Sequence, residues 1–161
     1  MFSDPRFLLG ADPELFCVDD KGKYISAVGK FGGTKQRPKR MKTKGFFVQE
    51  DNVAVEFNIP PAESDDVFVA NIQTALQEIE ERAKAKKLFL SITASASFPV
   101  NQLRSRASRN FGCDPDYNAW THTRNTRPIA SDPFLRSCGG HLHFGWLDKH
   151  RDPWIFIRWL D

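Results

Sequence analysis

The stretch SCGGHLHFGW, residues 137–146, sets His141 and His143 two positions apart behind Gly139 and Gly140. In an extended strand, residues i and i+2 point to one face. Two imidazoles then project together, and Leu142, Phe144 and Trp146 form the reverse side, expected to be buried. The same grammar occurs twice more. GADPEL carries Asp12 and Glu14 behind a glycine, and AVEFNI carries Glu56 and Asn58 opposite Val53, Val55, Phe57 and Ile59. One polar pair on the open face of a half-solvated sheet is ordinary. Three pairs drawn from Asp, Glu, Asn and His, the types that bind hard and borderline cations, point to one concave metal-binding face if the strands are neighbours. Oxygen ligands suit Mg2+ or Mn2+, and a mixed His and carboxylate set also suits Mn2+ or Zn2+.

Those residues need elements to hold them. RFLLGADPELFCVDDKGKYISAVG reads as two short strands around the turn DDKG. GFFVQEDNVAVEFNIPPA gives the clearest strand, alternating from Val53 until Pro60-Pro61 ends it. Over residues 64–87, Val69, Ile72, Leu76, Ile79 and Ala83 step by three and four, which predicts a helix with one apolar stripe. Ser64 or Asp65 can cap it, with acids at its start and lysines at its end. LFLSITASASFPV is expected as one further strand that fades into small residues.

The chain has 161 residues, 40% hydrophobic, and no apolar run approaching the ~20 residues of a membrane helix, so one globular domain over 1–161 with no membrane partner is expected. Asp4 and Arg6 stand where an export signal would be apolar, and Cys17, Cys113 and Cys138 form no C-x-x-C pair; both features favour a reducing cytoplasm. A net charge of +3 is too mild to indicate nucleic acid. The charge is uneven, however. Residues 30–44, KFGGTKQRPKRMKTK, hold seven basic residues and no acid. Their glycines and proline predict a loop, either a solvated connection or a lid that tightens on polyphosphate or an acidic substrate. Beyond Phe31 no aromatic side chains interleave with it for base stacking.

Residues 99–135 are irregular and carry Arg104, Arg106, Arg109, Arg124 and Arg127. Each is an ordinary loop charge or a clamp for phosphate, whose geometry the guanidinium fork matches. After the histidine strand, Asp152 and Pro153 open a helix that runs to Asp161 with apolar residues around most of its circumference. The expectation is a chain cut within a fold, or a helix that packs on a second copy or a protein partner through residues 153–160.

GADPELF, GGTKQRP, QEDNVAVEFNIPPA, GCDPDYNAW and CGGHLHFG occur in the order found in the phage-type carboxylate–amine ligases, amidoligases grouped with glutamine synthetase and glutamate–cysteine ligase. The chain resembles that family over nearly its whole length. The resemblance implies an α+β, mostly antiparallel glutamine-synthetase-like catalytic domain with helices on one face, binding ATP and Mg2+ or Mn2+ and joining a small-molecule or peptide carboxylate to an amine. It implies Asp12, Glu14, Glu56 and His143 as metal ligands, Glu56, His143 and Arg109 as catalytic residues, and Lys35, Arg104, Arg106 and His141 at the nucleotide. It also implies a cytoplasmic protein, in the host cytoplasm if phage-encoded. The family's chain continues past the histidine strand with residues that complete the nucleotide site, so this shorter chain would keep only part of it. Two other readings stay open: a non-catalytic phage protein that binds a host macromolecule, and a metal-dependent hydrolase using the same His and acid face.

Overall fold

The computed structural model describes residues 7–111, 115–146 and 153–160. Strand β1 (Phe7–Ala11) is interrupted at Asp12-Pro13 and resumes as β2 (Glu14–Val18). β2 turns into β3 (Tyr24–Ile25) through the predicted DDKG loop, where the Asp19 carboxylate accepts from Lys21 N at 3.0 Å and Lys23 N at 2.9 Å. The basic loop follows and ends in β4 (Lys39–Arg40), then β5 (Phe47–Asp51) and β6 (Ala54–Asn58) form a hairpin. Asn52 takes the left-handed backbone at its tip, with φ 54°. Val53 therefore lies in the turn, not at the head of the strand's apolar face as expected. It packs in a cluster with Phe16 and Phe98 instead of with Val55 and Phe57.

Helix α1 (Asp65–Lys84) is capped by Ser64, whose hydroxyl accepts from Val67 N, and carries acids in its first turn and Arg82 and Lys84 in its last. Its inward stripe is Phe68, Ile72, Ala75, Ile79 and Ala83. Val69 is exposed, because the hundred-degree step turns it off the face that Phe68 and Ile72 share. The single strand expected after α1 is two. β7 (Phe89–Ser91) pairs with β2, while β8 (Ser95–Ser97) pairs with β9 (Leu135–Ser137). The small residues between them bury too little to hold one straight strand, and Ile92 points to solvent. β10 (Leu142–Trp146) pairs antiparallel with β1, and α2 (Pro153–Leu160) closes the described chain.

The main sheet has the order β3-β2-β6-β5-β4. Backbone bonds from Phe57 N to Pro13 O and from Ile59 N to Ala11 O, both 3.2 Å, and a bridge between Leu9 and Ala62, continue that sheet onto β1. The histidine strand thus lies next to β1, which lies next to the chain leaving β6. One face of the sheet packs Leu15, Cys17, Val48, Val55 and Phe57 against Ala75, Ile79 and Ala83 of α1. A buried side chain of this size contributes roughly 1.5–3 kcal/mol. Strand alternation then turns Glu14, Gln49, Asp51, Glu56 and Asn58 to the other face. The architecture is α+β and dominated by antiparallel sheet. Burial pushes the Cys17 thiol up to about 12, leaving it an inert core group.

One expectation is corrected near the end of the described chain. On the reverse of β10, Leu142 and Phe144 are not buried: Leu142 is 62% exposed and Phe144 37% exposed, with Phe144 resting on the Phe7 ring at 5.4 Å. Neither belongs to the core that α1 covers. α2 rests by one flank on the 118–122 loop, where Trp154 stacks on His122 at 4.4 Å and Arg158 donates to Ala119 O and His122 Nε2, both at 2.8 Å. Ile155 and Ile157 stay exposed. The expected cap Asp152 and the expected cysteine Cys113 lie outside the described residues.

Candidate metal centre

Register brings the acids together. Glu14 pairs with Glu56 across β2 and β6, and Glu56 pairs with Gln49 across β6 and β5. Asp51 stands two residues beyond Gln49, on the same side of β5. Ligand oxygens of Glu14, Asp51 and Glu56 all lie within 4.8 Å of one another. Hard cations hold oxygens at about 2.0–2.6 Å, so two ligands of one ion stand up to roughly 5 Å apart. The three carboxylates fit one cation without rearranging the sheet.

The electrostatics fit as well. Glu56 is only 4% exposed, and its Oε1 accepts from Gln49 Nε2 at 2.7 Å. Burial first, then the charges of Asp12 and Asp51, push its carboxyl up to about 7, against the opposing Gln49 bond and Lys35 charge. Lys35 Nζ sits 2.9 Å from Asp51 Oδ2. A cationic side chain from the basic loop therefore already stands against this cluster. Lys35, expected at the nucleotide, is held beside the acids.

Asp12 gathers the histidines. His141 N donates to Asp12 Oδ1 at 2.9 Å, and His141 Nδ1 and His143 Nε2 stand 3.2 Å and 3.3 Å from the same oxygen. Gly139 N donates to Glu14 Oε2 at 2.9 Å, while Glu14 N donates to Gly139 O at 2.8 Å. The glycines permit this approach: a Cβ on Gly140 would lie 2.9 Å from Pro13 Cα. The expected close contact is thus with the chain's own Asp12-Pro13 corner. Asn58 lies at the edge of the face, where its Nδ2 is buried with no hydrogen-bond partner among the described residues and a cleft of about 230 Å³ opens between it and His143.

The basic loop is fixed at both ends, in contrast to the loose lid expected. The Glu50 carboxylate accepts from Gly29 N at 2.7 Å, Phe31 N at 2.8 Å and Gly32 N at 2.6 Å, and Phe31 and Met41 are buried in the core. Lys42 N donates to the Glu78 carboxylate of α1 at 2.8 Å. Gly33, with φ 83°, passes so close to β5 that a Cβ would lie 2.4 Å from Val48 O. Residues 34–40 and 42–44 are exposed throughout.

The arginines do not join the cluster. Arg104, Arg106 and Arg109 are exposed beside two short 3-10 turns, and Arg109 Nη2 donates to Arg104 O at 2.9 Å. Among the described residues, none of the three bonds a carboxylate of Glu14, Asp51 or Glu56. Arg124 donates to Pro115 O, and Arg136 is buried with bonds to Ser108 O, Pro133 O and Leu135 O. Gln49 and Asp51 are the residues that sequence reasoning missed. Their i, i+2 spacing in VQEDN is the same signal as in the other pairs, but it falls before Val53, where the strand was expected to start.

Comparison with protein-family models, curated proteins and solved structures gives no match. No described helix is long and apolar enough to cross a membrane.

Proposed function

We propose that this chain is an ATP-dependent carboxylate–amine ligase with a glutamine-synthetase-like sheet, cytoplasmic, acting on a small-molecule or peptide carboxylate. The observation that carries the reading is the Glu14–Asp51–Glu56 cluster with Lys35 against it. In this reading Glu14, Asp51 and Glu56 hold Mg2+ or Mn2+, with Asp12, His141 and His143 beside them. ATP with its divalent ions supplies the phosphoryl group that activates the carboxylate for displacement by the amine. Glu56 gives up its proton to become a ligand, and Gln49 orients it through the Nε2 bond. Lys35 leaves Asp51 when the ion arrives, and the tip of its loop offers Arg37, Lys39 and Arg40 to phosphate oxygens. Arg104 and Arg106 stand apart from the acids, so their role at the nucleotide depends on residues 99–106 moving toward the sheet.

Hydroxylamine tests this reading. It traps acyl phosphates as hydroxamates, which form coloured complexes with added ferric ion, so incubation with MgATP and a panel of amino acids and peptides reports the activated carboxylate. Hydroxamate that requires both ATP and metal, and that disappears in Glu56→Gln, is the expected result; no ATP-dependent product from any carboxylate contradicts it. The two imidazoles sharing Asp12 favour a second reading, metal-dependent hydrolysis, which would need metal but no ATP.

A further inference from the structure

A second concave site lies away from the acids. A cleft of about 540 Å³ opens between the 3-10 turns and the coil that leads into β9, a size common for small-molecule sites. Its walls are apolar: Leu103, Phe111, Ile129 and Phe134 line it, and Ile129 is 92% exposed. Large apolar side chains left open in a concave surface mark a place where something apolar binds. Among the described residues the charged lining is Arg109, Arg127 and Arg136 with Asp132. Asp132 is already committed, since its carboxylate accepts from Phe134 N at 2.8 Å and from Ser97 Oγ at 3.1 Å. Arg136 is committed to three carbonyls and supplies a fixed positive charge. Arg109 spends only Nη2, on Arg104 O, and its Nε and Nη1 meet no acceptor among the described residues.

We propose that this cleft binds an organic carboxylate with an apolar body, such as an N-acylated or C-terminal apolar amino acid. Arg109 takes the carboxylate, Arg127 adds positive charge, and Phe111, Ile129 and Phe134 cover the body. A guanidinium fork matches a carboxylate in two parallel bonds. The apolar walls select against inorganic phosphate, which would leave them wet. The site is independent of the ligase reading and of any metal.

The test is titration of the full chain with N-acetylphenylalanine, followed by calorimetry and amide NMR shifts. N-acetylphenylalaninamide and inorganic phosphate serve as the uncharged and the body-less probes. The acid should bind at least roughly tenfold tighter than either, because a site built around a charge rejects the analogue that lacks it. Arg109→Gln should weaken the acid by a similar factor, and Ile129→Ser should weaken it several-fold. Both substitutions are on exposed side chains, and circular dichroism checks the fold. Shifts should concentrate on residues 103–111 and 127–136. No saturable binding of the acid at millimolar concentration, equal binding of the amide or phosphate, or indifference to Arg109→Gln would overturn the proposal. Mn2+ affinity measured on the same variants should not change, which keeps this result separate from that at the acidic cluster.

Discussion

The acids of β2, β6 and β5 and the arginines between β8 and the end of β9 are held in opposite ways. Glu14, Glu56 and Gln49 stand in one row because three neighbouring strands are in register, and the apolar reverse of those strands is clamped on α1. Each side chain's direction follows from the pleat. The arginines have no such lattice. Arg136, on the short strand β9, is aimed by the carbonyls of Ser108, Pro133 and Leu135, Arg109 by the carbonyl of Arg104, and Arg124 by that of Pro115. A sheet fixes polar groups through burial on its far side, whereas a loop fixes them one hydrogen bond at a time.

That contrast is easiest to break from behind the sheet. Phe57 is fully buried directly next to Glu56 in sequence, on the opposite face. Phe57→Ala should cost about 3–5 kcal/mol in denaturant unfolding. It should also disperse the acidic row.

Glu56 itself gives the next largest effect. Its folded carboxyl sits near 7, above the usual range near 4.5, so the folded state holds the proton more tightly than the unfolded chain. In that window folding is favoured by protonation. Metal-free stability should therefore be highest below the unfolded value and fall as pH rises from about 4.5 through about 7, by up to roughly 3 kcal/mol in total. Glu56→Gln should flatten the profile over that window. A profile that rises there would contradict the burial of this carboxyl.

On the arginine side, Arg136→Leu should cost about 1–3 kcal/mol for carbonyls left without a donor. Thermal unfolding reads the loss, while Mn2+ affinity at the acids should stay unchanged. If metal binding falls with it, the two regions are coupled and the contrast is weaker than drawn. The smallest effect is expected at Lys35, whose partly exposed pair with Asp51 is worth about 1 kcal/mol or less. Lys35→Ala should tighten Mn2+ by a few-fold, by removing a competing cation.

The sequence made the first region legible and left the second obscure for the same reason. The two-residue period around Glu56 and the stripe through Ile72, Ile79 and Ala83 are repeated signals, and burial enforces them. The pairs at Asp12 and Glu14 and at His141 and His143 stood out by spacing, but Asp12 and His141 lie just outside the strands, so alternation does not set their faces. Register could not be read, so Asp51 and Gln49 were missed, and so was the gathering of both imidazoles on Asp12. The basic loop misled because composition reports charge and glycine but not long-range bonds. Its anchors, Glu50 and Glu78, lie outside it in sequence. For the arginines, nothing local in the sequence says which carbonyl each will meet. The split of the strand at residues 88–100 went unseen because its partners, β2 and β9, are distant.

Mn2+ binding followed by electron paramagnetic resonance, with wild type against Glu14→Gln, Asp51→Asn and Glu56→Gln, tests the central claim most directly. Wild type should bind Mn2+ saturably, more tightly as pH rises through about 7 where Glu56 gives up its proton, and each substitution should weaken the first ion by roughly tenfold or more. Binding that is absent in wild type, or that survives all three substitutions unchanged, would contradict a metal centre on this sheet.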